Sequence, residues 1–388
     1  MYLIYLCYFA AEGIIYPFWP VWLKSQGFDN GGVALFMAAA YWPQVLFGLG
    51  LSYLADWRFR QLSVAGWVGM LSAIVIFLFY LPKSIALYLI LAMLYGGLWT
   101  TVLPLSESYL LERDKSASHD YGWVRAAGSL SFIIFSIAGG QLLGLYGQGI
   151  VPGMIGLLMA LTAAACFLLT VRHPHVGGAR SVKVARPDWR DLRQYPVLLL
   201  CLGSAGLIQL SHCLYFATIS NSWATLGYSA TWIGAFWAVA VLAEIVYFAL
   251  SSKVMNLFSP LRVMMLSGLF ATLRWVITWF DHSLTSIVVG QMMHALSFAA
   301  YHAALMRYIR DNAPESMRAF TQGIYYSLAV ALPMGILTPL AGSLYDQIGD
   351  QAYLFMALIS FSGVVTAFIA NQHTGRSHES RILFRRLF

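Results

Sequence analysis

One polar stretch constrains what this chain can fold into. Residues 172–195 read RHPHVGGARSVKVARPDWRDLRQY and hold Arg172, Arg180, Lys183, Arg186, Arg190 and Arg193. Residues 1–171 before it and 196–371 after it are almost continuously apolar and nearly equal in length. Charged residues make up 10% of the 388-residue chain, against roughly 25% in soluble domains. So few charges cannot cover the surface of a soluble protein this size, whereas runs of about 20 apolar residues suit a bilayer core about 30 Å thick. The net charge of +7 sits at the ends of apolar runs and builds no basic patch, which argues against nucleic acid as a partner.

Twelve spans are predicted: 2–23, 32–54, 62–81, 85–110, 122–146, 151–171, 196–219, 230–252, 261–280, 284–308, 318–345 and 351–371. The apolar start lacks a basic leader region and carries Glu12, so it reads as a first membrane helix rather than a signal peptide. With the N-terminus inside, every Lys and Arg except Lys24, Lys83 and Arg274 falls on inner loops, inner span ends or the tail. The positive-inside rule then gives N-in and C-in. The reading is an all-α polytopic membrane protein: a six-helix bundle over 1–171, a basic cytoplasmic linker over 172–195, a second six-helix bundle over 196–371, and a basic tail over 372–388 that lies on the membrane surface.

Ionised residues inside spans carry the functional expectation, because each costs about 2.5–3.5 kcal/mol at the bilayer centre even on mild scales and needs a partner. Glu12, Glu107, Arg125, Glu244, Arg274 and His294 stand out. Counting from the turns pairs them. Glu107 and Arg125 each lie nine residues from Ser116, Glu244 and Arg274 fifteen from Ser259, and Arg274 and His294 ten from Leu284. Adjacent antiparallel helices place such residues at equal depth. One ion pair is therefore expected in the first half and a Glu–Arg–His set in the second, with a buried pair that merely locks helices as the alternative for each. Three acids against two arginines make one carboxylate a candidate proton carrier: Glu244, tuned by Arg274 and His294, with Glu12 as its rival. Among the other polar residues, Gln209 and His212 share a helix face and Gln322 lies in the eleventh span. Trp237 and Phe132 lie deep, while Trp19, Trp22, Trp99, Trp223 and Trp232 read as interface-belt residues.

Several segments resemble the major facilitator superfamily. Residues 52–60, SYLADWRFR, match its loop between spans 2 and 3 at Asp56 and Arg60 and depart from it at Ser52, Trp57 and Phe59. PFWPVWL at 17–23, YGWVRAAGSLSF at 121–132, QMMHALSFAAYH at 291–302 and LAGSLYD at 340–346 are similar to the phenylpropionate permease branch, which is related to lactose permease and its proton-coupled sugar symporters. That resemblance implies two bundles that rock about a midplane site, in a monomer in the bacterial inner membrane. It places Glu107, Arg125, Glu244, Arg274 and His294 where lactose permease binds substrate and couples protons. It makes Asp56 and Arg60 the gating loop, and it puts Ser297 where that relative carries a coupling carboxylate.

The expected function is proton-coupled symport of a small organic solute by alternating access. An aromatic or other small carboxylate such as phenylpropionate comes first, because an arginine grips a carboxylate bidentately; a sugar or nucleoside is the alternative. The substrate-binding candidates are Arg125, Glu107, Arg274, Phe132, Gln209, Gln322 and Trp237. The proton-coupling candidates are Glu244, His294, Arg274 and Glu12. Enzymatic motifs such as HExxH and GxSxG are missing, as is GxxxxGK[ST] for ATP drive. His173 and His175 lack the further ligands of a metal site, and no cofactor is expected. A sensor of the same fold that binds solute without moving it is a further alternative.

Overall fold

The structure, a computed structural model, describes residues 1–44, 46–47, 61–81, 84–113, 118–172 and 192–387. Asp56, Arg60 and most of the basic linker lie outside the described residues. The described residues are helical throughout, with no strand among them. The helices are α1 (Tyr2–Ser25), α2 (Asn30–Ala39), α3 (Gln61–Phe77), α4 (Ile85–Arg113), α5 (Ser118–Tyr146), α6 (Val151–Arg172), α7 (Pro196–Leu210), α8 (Cys213–Thr225), α9 (Ala230–Leu257), α10 (Pro260–Phe280), α11 (Leu284–His294), α12 (Ala300–Asn312), α13 (Arg318–Ile324), α14 (Leu332–Ile348) and α15 (Ala352–Leu387). Among the described residues nine helical runs are long and apolar enough to cross a membrane; one of them, Phe320–Thr374, is 55 residues long.

Local chemistry sets the boundaries. Asp29 caps α2 by accepting from the Gly32 amide at 2.7 Å, Ser259 and Ser283 cap α10 and α11, and proline opens α7 and α10. The same turn occurs twice. Gly27 (φ 85°) ends α1 and Gly227 (φ 89°) ends α8. Each is followed by an aromatic residue and a capping Asp29 or Ser229. Gly147 (φ 79°) and Gly349 (φ 60°) repeat this pairing, each leading into a short 3₁₀ turn. Left-handed backbone favours glycine at all four, and the matched positions lie about 200 residues apart along the chain.

Several spans depart from the regular helices expected, and the second already gives way to a turn at 40–43 after α2. The seventh breaks between α7 and α8 at Ser211 and His212, whose side chains both bond the Ile208 carbonyl; such local bonds compete with the helix ladder. The tenth contains a π turn at Ala295–Ala299, and the eleventh another at Tyr325–Ala331. The Ser267 hydroxyl donates to the Leu296 carbonyl at 2.7 Å within the first of these. The last helix continues unbroken from Ala352 to Leu387, so the tail prolongs that helix rather than forming a separate segment.

The chain gathers into two compact units. One comprises Met1–Lys183, Leu214–Leu242 and Met334–Gln347; the other comprises Val184–Cys213, Ala243–Pro333 and Ile348–Phe388. In the first, α1 packs on α5 so closely that a Cβ on Gly13 would come within 2.7 Å of the Phe132 carbonyl, and α3 meets α6 through Gly69 and Ala163. Small residues let membrane helices approach this way. In the second, α15 packs on α7 and α10: Ser204 donates to the Gly363 carbonyl at 2.7 Å, and Gly268 lies against Val364. The belt expectation fails for Trp19, Trp22, Trp99 and Trp223, all of which are buried; Trp232 is exposed. Trp19 stacks on Trp22 at 4.8 Å with Phe79 edge-on at 4.9 Å, so these indoles pack helices together.

Candidate functional site

The second unit builds a charged chain on three helices. Arg274 of α10 is 1% exposed, and its neighbour Trp275 is fully buried. Trp275 donates its indole N–H to Ser211 at the α7–α8 break, 2.9 Å away, and the guanidinium lies 4.8 Å from the centre of its ring. From this anchor Arg274 reaches α11 and the π turn that follows it, with His294 Nδ1 at 2.8 Å, Gln291 Oε1 at 3.3 Å and Ser297 Oγ at 3.5 Å. Glu244 of α9 completes the chain, its carboxylate 2.9 Å from His294 Nε2. A guanidinium only donates, so Nδ1 is the acceptor and the ring proton sits on Nε2, pointed at Glu244. Phe298 stacks on the imidazole at 5.0 Å and 9° and fixes its plane. The three residues paired by counting from the turns thus meet in one line, with the histidine in the middle.

Around this line lie groups that counting missed. Gln291 precedes His294 by three residues, a same-face spacing that could have revealed it. His212 lies 5.8 Å from His294, ring to ring. Gln209 accepts from the Tyr301 hydroxyl, which also bonds Tyr325, and Glu244 is near enough to act on Tyr301. Gln322 sits half-buried on α13, just before the second π turn.

In the first unit Glu107 of α4 and Arg125 of α5 approach to 3.6 Å, with 27% and 54% of their side chains exposed. That is an ion pair beyond hydrogen-bond length. The Tyr5 hydroxyl, unforeseen from the sequence, donates to Glu107 at 3.0 Å. Glu12 is half-buried on α1, close enough to Tyr8 and Tyr95 to interact with both. One turn further along α1, Tyr16 meets Trp237, Phe216, Phe132 and Trp99 at ring-centre distances of 5.9, 6.0, 6.3 and 6.4 Å. Trp237 spends its N–H on Ser220 at 2.9 Å, which leaves its ring faces for packing.

Apolar helices in this number among the described residues are those of a multi-pass membrane protein. The sequence model of the MFS_1 like family matches residues 1–357, and the chain belongs to that family, whose members here are secondary transporters of the major facilitator type. It is 26% identical over 357 residues to the probable 3-phenylpropionic acid transporter of Escherichia coli (strain K12), covering 92% of this chain and 93% of that one. It is 24% identical over 373 residues to the maltose permease of Geobacillus stearothermophilus, covering 94% and 92%. Its fold is also similar to a crystal structure of a mutant of the nucleoside transporter NupG, with a TM-score of 0.77, 14% identity, and 96% and 98% of the two chains covered.

Proposed function

We propose that this protein is a proton-coupled symporter in the bacterial inner membrane. It would bring in a small organic carboxylate, preferably an aromatic one such as 3-phenylpropionate, by alternating access of two six-helix bundles in an N-in, C-in monomer. The observation that carries the coupling is the Glu244–His294–Arg274 line. A proton arriving on Glu244 removes the negative end of the line, so the buried Arg274 charge loses that counter-charge. That change in charge favours a rearrangement of α9, α10 and α11. Ser297, an un-ionised hydroxyl, does not titrate near neutral pH, so the carboxylate assigned to carry the proton is Glu244, with Glu12 as the second choice.

The substrate anion is assigned to Arg125 before Arg274. Arg274 is buried and bonds His294, Gln291 and Ser297, whereas Arg125 is half-exposed and lies 3.6 Å from Glu107. A carboxylate can replace Glu107 at that guanidinium bidentately. The name of the Escherichia coli relative supports this choice. A second reading is a sugar or nucleoside symporter. It is favoured by the carboxylate of Glu107, a hydroxyl acceptor already bonded to Tyr5, and by the names of the maltose permease and NupG. Uptake of labelled 3-phenylpropionate, maltose and uridine into proteoliposomes under an imposed inward proton gradient separates these readings. Saturable, gradient-driven uptake of the aromatic acid alone is the expected result.

A further inference from the structure

Along α1 the partly accessible residues Phe9, Glu12 and Tyr16 follow one another at i, i+3 and i+7, while Gly13–Ile15 and Pro17–Leu23 are buried. Spacing of this kind places the three on one helix face. Tyr16 on that face touches rings from α4, α5, α8 and α9. It therefore faces the place where those helices converge.

We infer that Tyr16, backed by Trp237 and Phe216, is the platform for the aromatic ring of the substrate and sets the distance at which that ring must lie from the carboxylate. This rests on the aromatic-carboxylate reading above. Phe132 touches Tyr16 and lies seven residues, two turns, beyond Arg125 on α5; Trp99 touches Tyr16 and lies eight residues before Glu107 on α4. At 1.5 Å per residue both helices put about 10–12 Å between the aromatic group and the charged pair. An extended arginine side chain covers part of that length. A carboxylate joined to a ring through a short methylene chain covers the rest, whereas a carboxyl attached directly to the ring falls short. Tyr16 is partly accessible and its neighbours are themselves rings, the setting in which a further aromatic ring gains beyond simple burial. Trp237 cannot turn away to bond the substrate, because its N–H is held by Ser220.

The test is transport by the full chain in proteoliposomes, with labelled 3-phenylpropionate competed by benzoate and by hexanoate. For the unaltered protein the order expected is 3-phenylpropionate over both competitors. In Tyr16→Leu the preference for 3-phenylpropionate over hexanoate should fall about fivefold, and in Tyr16→Phe it should stay within about twofold. If Tyr16→Leu does not yield a monodisperse protein, Trp237→Leu and Phe216→Leu read the same preference. Unaltered selectivity in these variants, or benzoate competing as well as 3-phenylpropionate, overturns the inference and leaves the proposed function standing. An unaltered protein that moves no aromatic carboxylate overturns both.

Discussion

His294 Nδ1 lies 2.8 Å from the Arg274 guanidinium, and that contact fixes the protonation pattern of the whole line. Because the guanidinium can only donate, the imidazole must accept on Nδ1 and present its N–H to Glu244 at 2.9 Å. The line thus runs cation, neutral ring, anion. Only its Glu244 end can gain a proton without placing two donors face to face.

Glu244→Gln keeps the side-chain shape and removes the titrating group. The variant is expected to lose accumulation driven by a pH gradient while retaining exchange of labelled for unlabelled solute across the membrane. Both are read in the same proteoliposomes. Gradient-driven accumulation that survives in Glu244→Gln moves the coupling role to Glu12, and Glu12→Gln is then the variant to compare.

Removing one end of the line should harm the protein more than removing both. Arg274→Leu leaves Glu244 bonded to His294 but without the cation at the far end of the line, and removing one charge of a buried set costs up to about 3–5 kcal/mol. Arg274→Leu with Glu244→Leu leaves no stranded charge. The double variant should therefore melt above the Arg274→Leu single variant in detergent, with a non-additive term of about 1–3 kcal/mol. A double variant that melts at the sum of the two single losses would show that the residues act separately.

Asp346 of α14 closes onto the start of α2 within the first unit. Its carboxylate accepts from the Asn30 amide at 3.2 Å, the Asn30 side chain at 2.7 Å and the Gly31 amide at 2.7 Å. Gly342, one turn earlier, brings α14 against Ala34 and the Asn30 carbonyl. Asp346→Ala removes a charged acceptor at a helix N-terminus and should cost about 0.5–2 kcal/mol. Asp346→Asn, which keeps one acceptor oxygen, should cost less. Thermal melts of the two variants in one detergent check the order.

How much of this was legible beforehand depends on periodicity and spacing. The two apolar halves follow from hydrophobic length, which the bilayer imposes without regard to detail, and the superfamily resemblance rests on short motifs such as those at 121–132 and 291–302. The pairings of Glu107 with Arg125, and of Glu244, Arg274 and His294, were reachable because antiparallel helices joined by short turns keep equal depth. The break at Ser211–His212 and the two π turns were not, since they arise from side chains competing for particular carbonyls. Nothing in the sequence sets Tyr5 and Tyr301 apart from the other tyrosines, although their hydroxyls bond Glu107 and Gln209. The buried tryptophans were misjudged because a belt residue and a helix-packing residue have the same composition and depth.

The turn between α10 and α11 carries a group that responds to acid. The Asp281 carboxyl is held below the ordinary aspartate range, first by the Ser286 hydroxyl and then by the Ser283 amide at 2.8 Å and hydroxyl at 3.0 Å. A depressed folded-state pKa adds stability above the unfolded value, about 3.9 for aspartate. That stability is lost as the pH falls through the lower folded-state value. Asp281→Asn should therefore melt below the unaltered protein at neutral pH, and the two curves should draw together as the pH falls below about 4. A difference that persists unchanged through that range would assign the loss to packing rather than to the ionised carboxyl.

The contact of α9 with α5 gives a last prediction about movement. A Cβ on Gly234 would run into the Ser136 carbonyl, and one on Gly140 would meet the Ala230 carbonyl. Backbone atoms at both places cannot swing aside as a flexible side chain can. Gly234→Ala must therefore separate the two helices by roughly the width of a methyl group, at about 1–3 kcal/mol for the overpacked arrangement. If alternating access needs α5 and α9 to part, the variant favours the parted arrangement. A cysteine at Ile137, beside the contact, should then react faster with a water-soluble maleimide in the Gly234→Ala background. Gly144→Ala, where a Cβ meets nothing within 4 Å, is the control and should leave labelling unchanged. Equal labelling in the Gly234→Ala and control backgrounds would mean that this contact stays shut throughout the transport cycle.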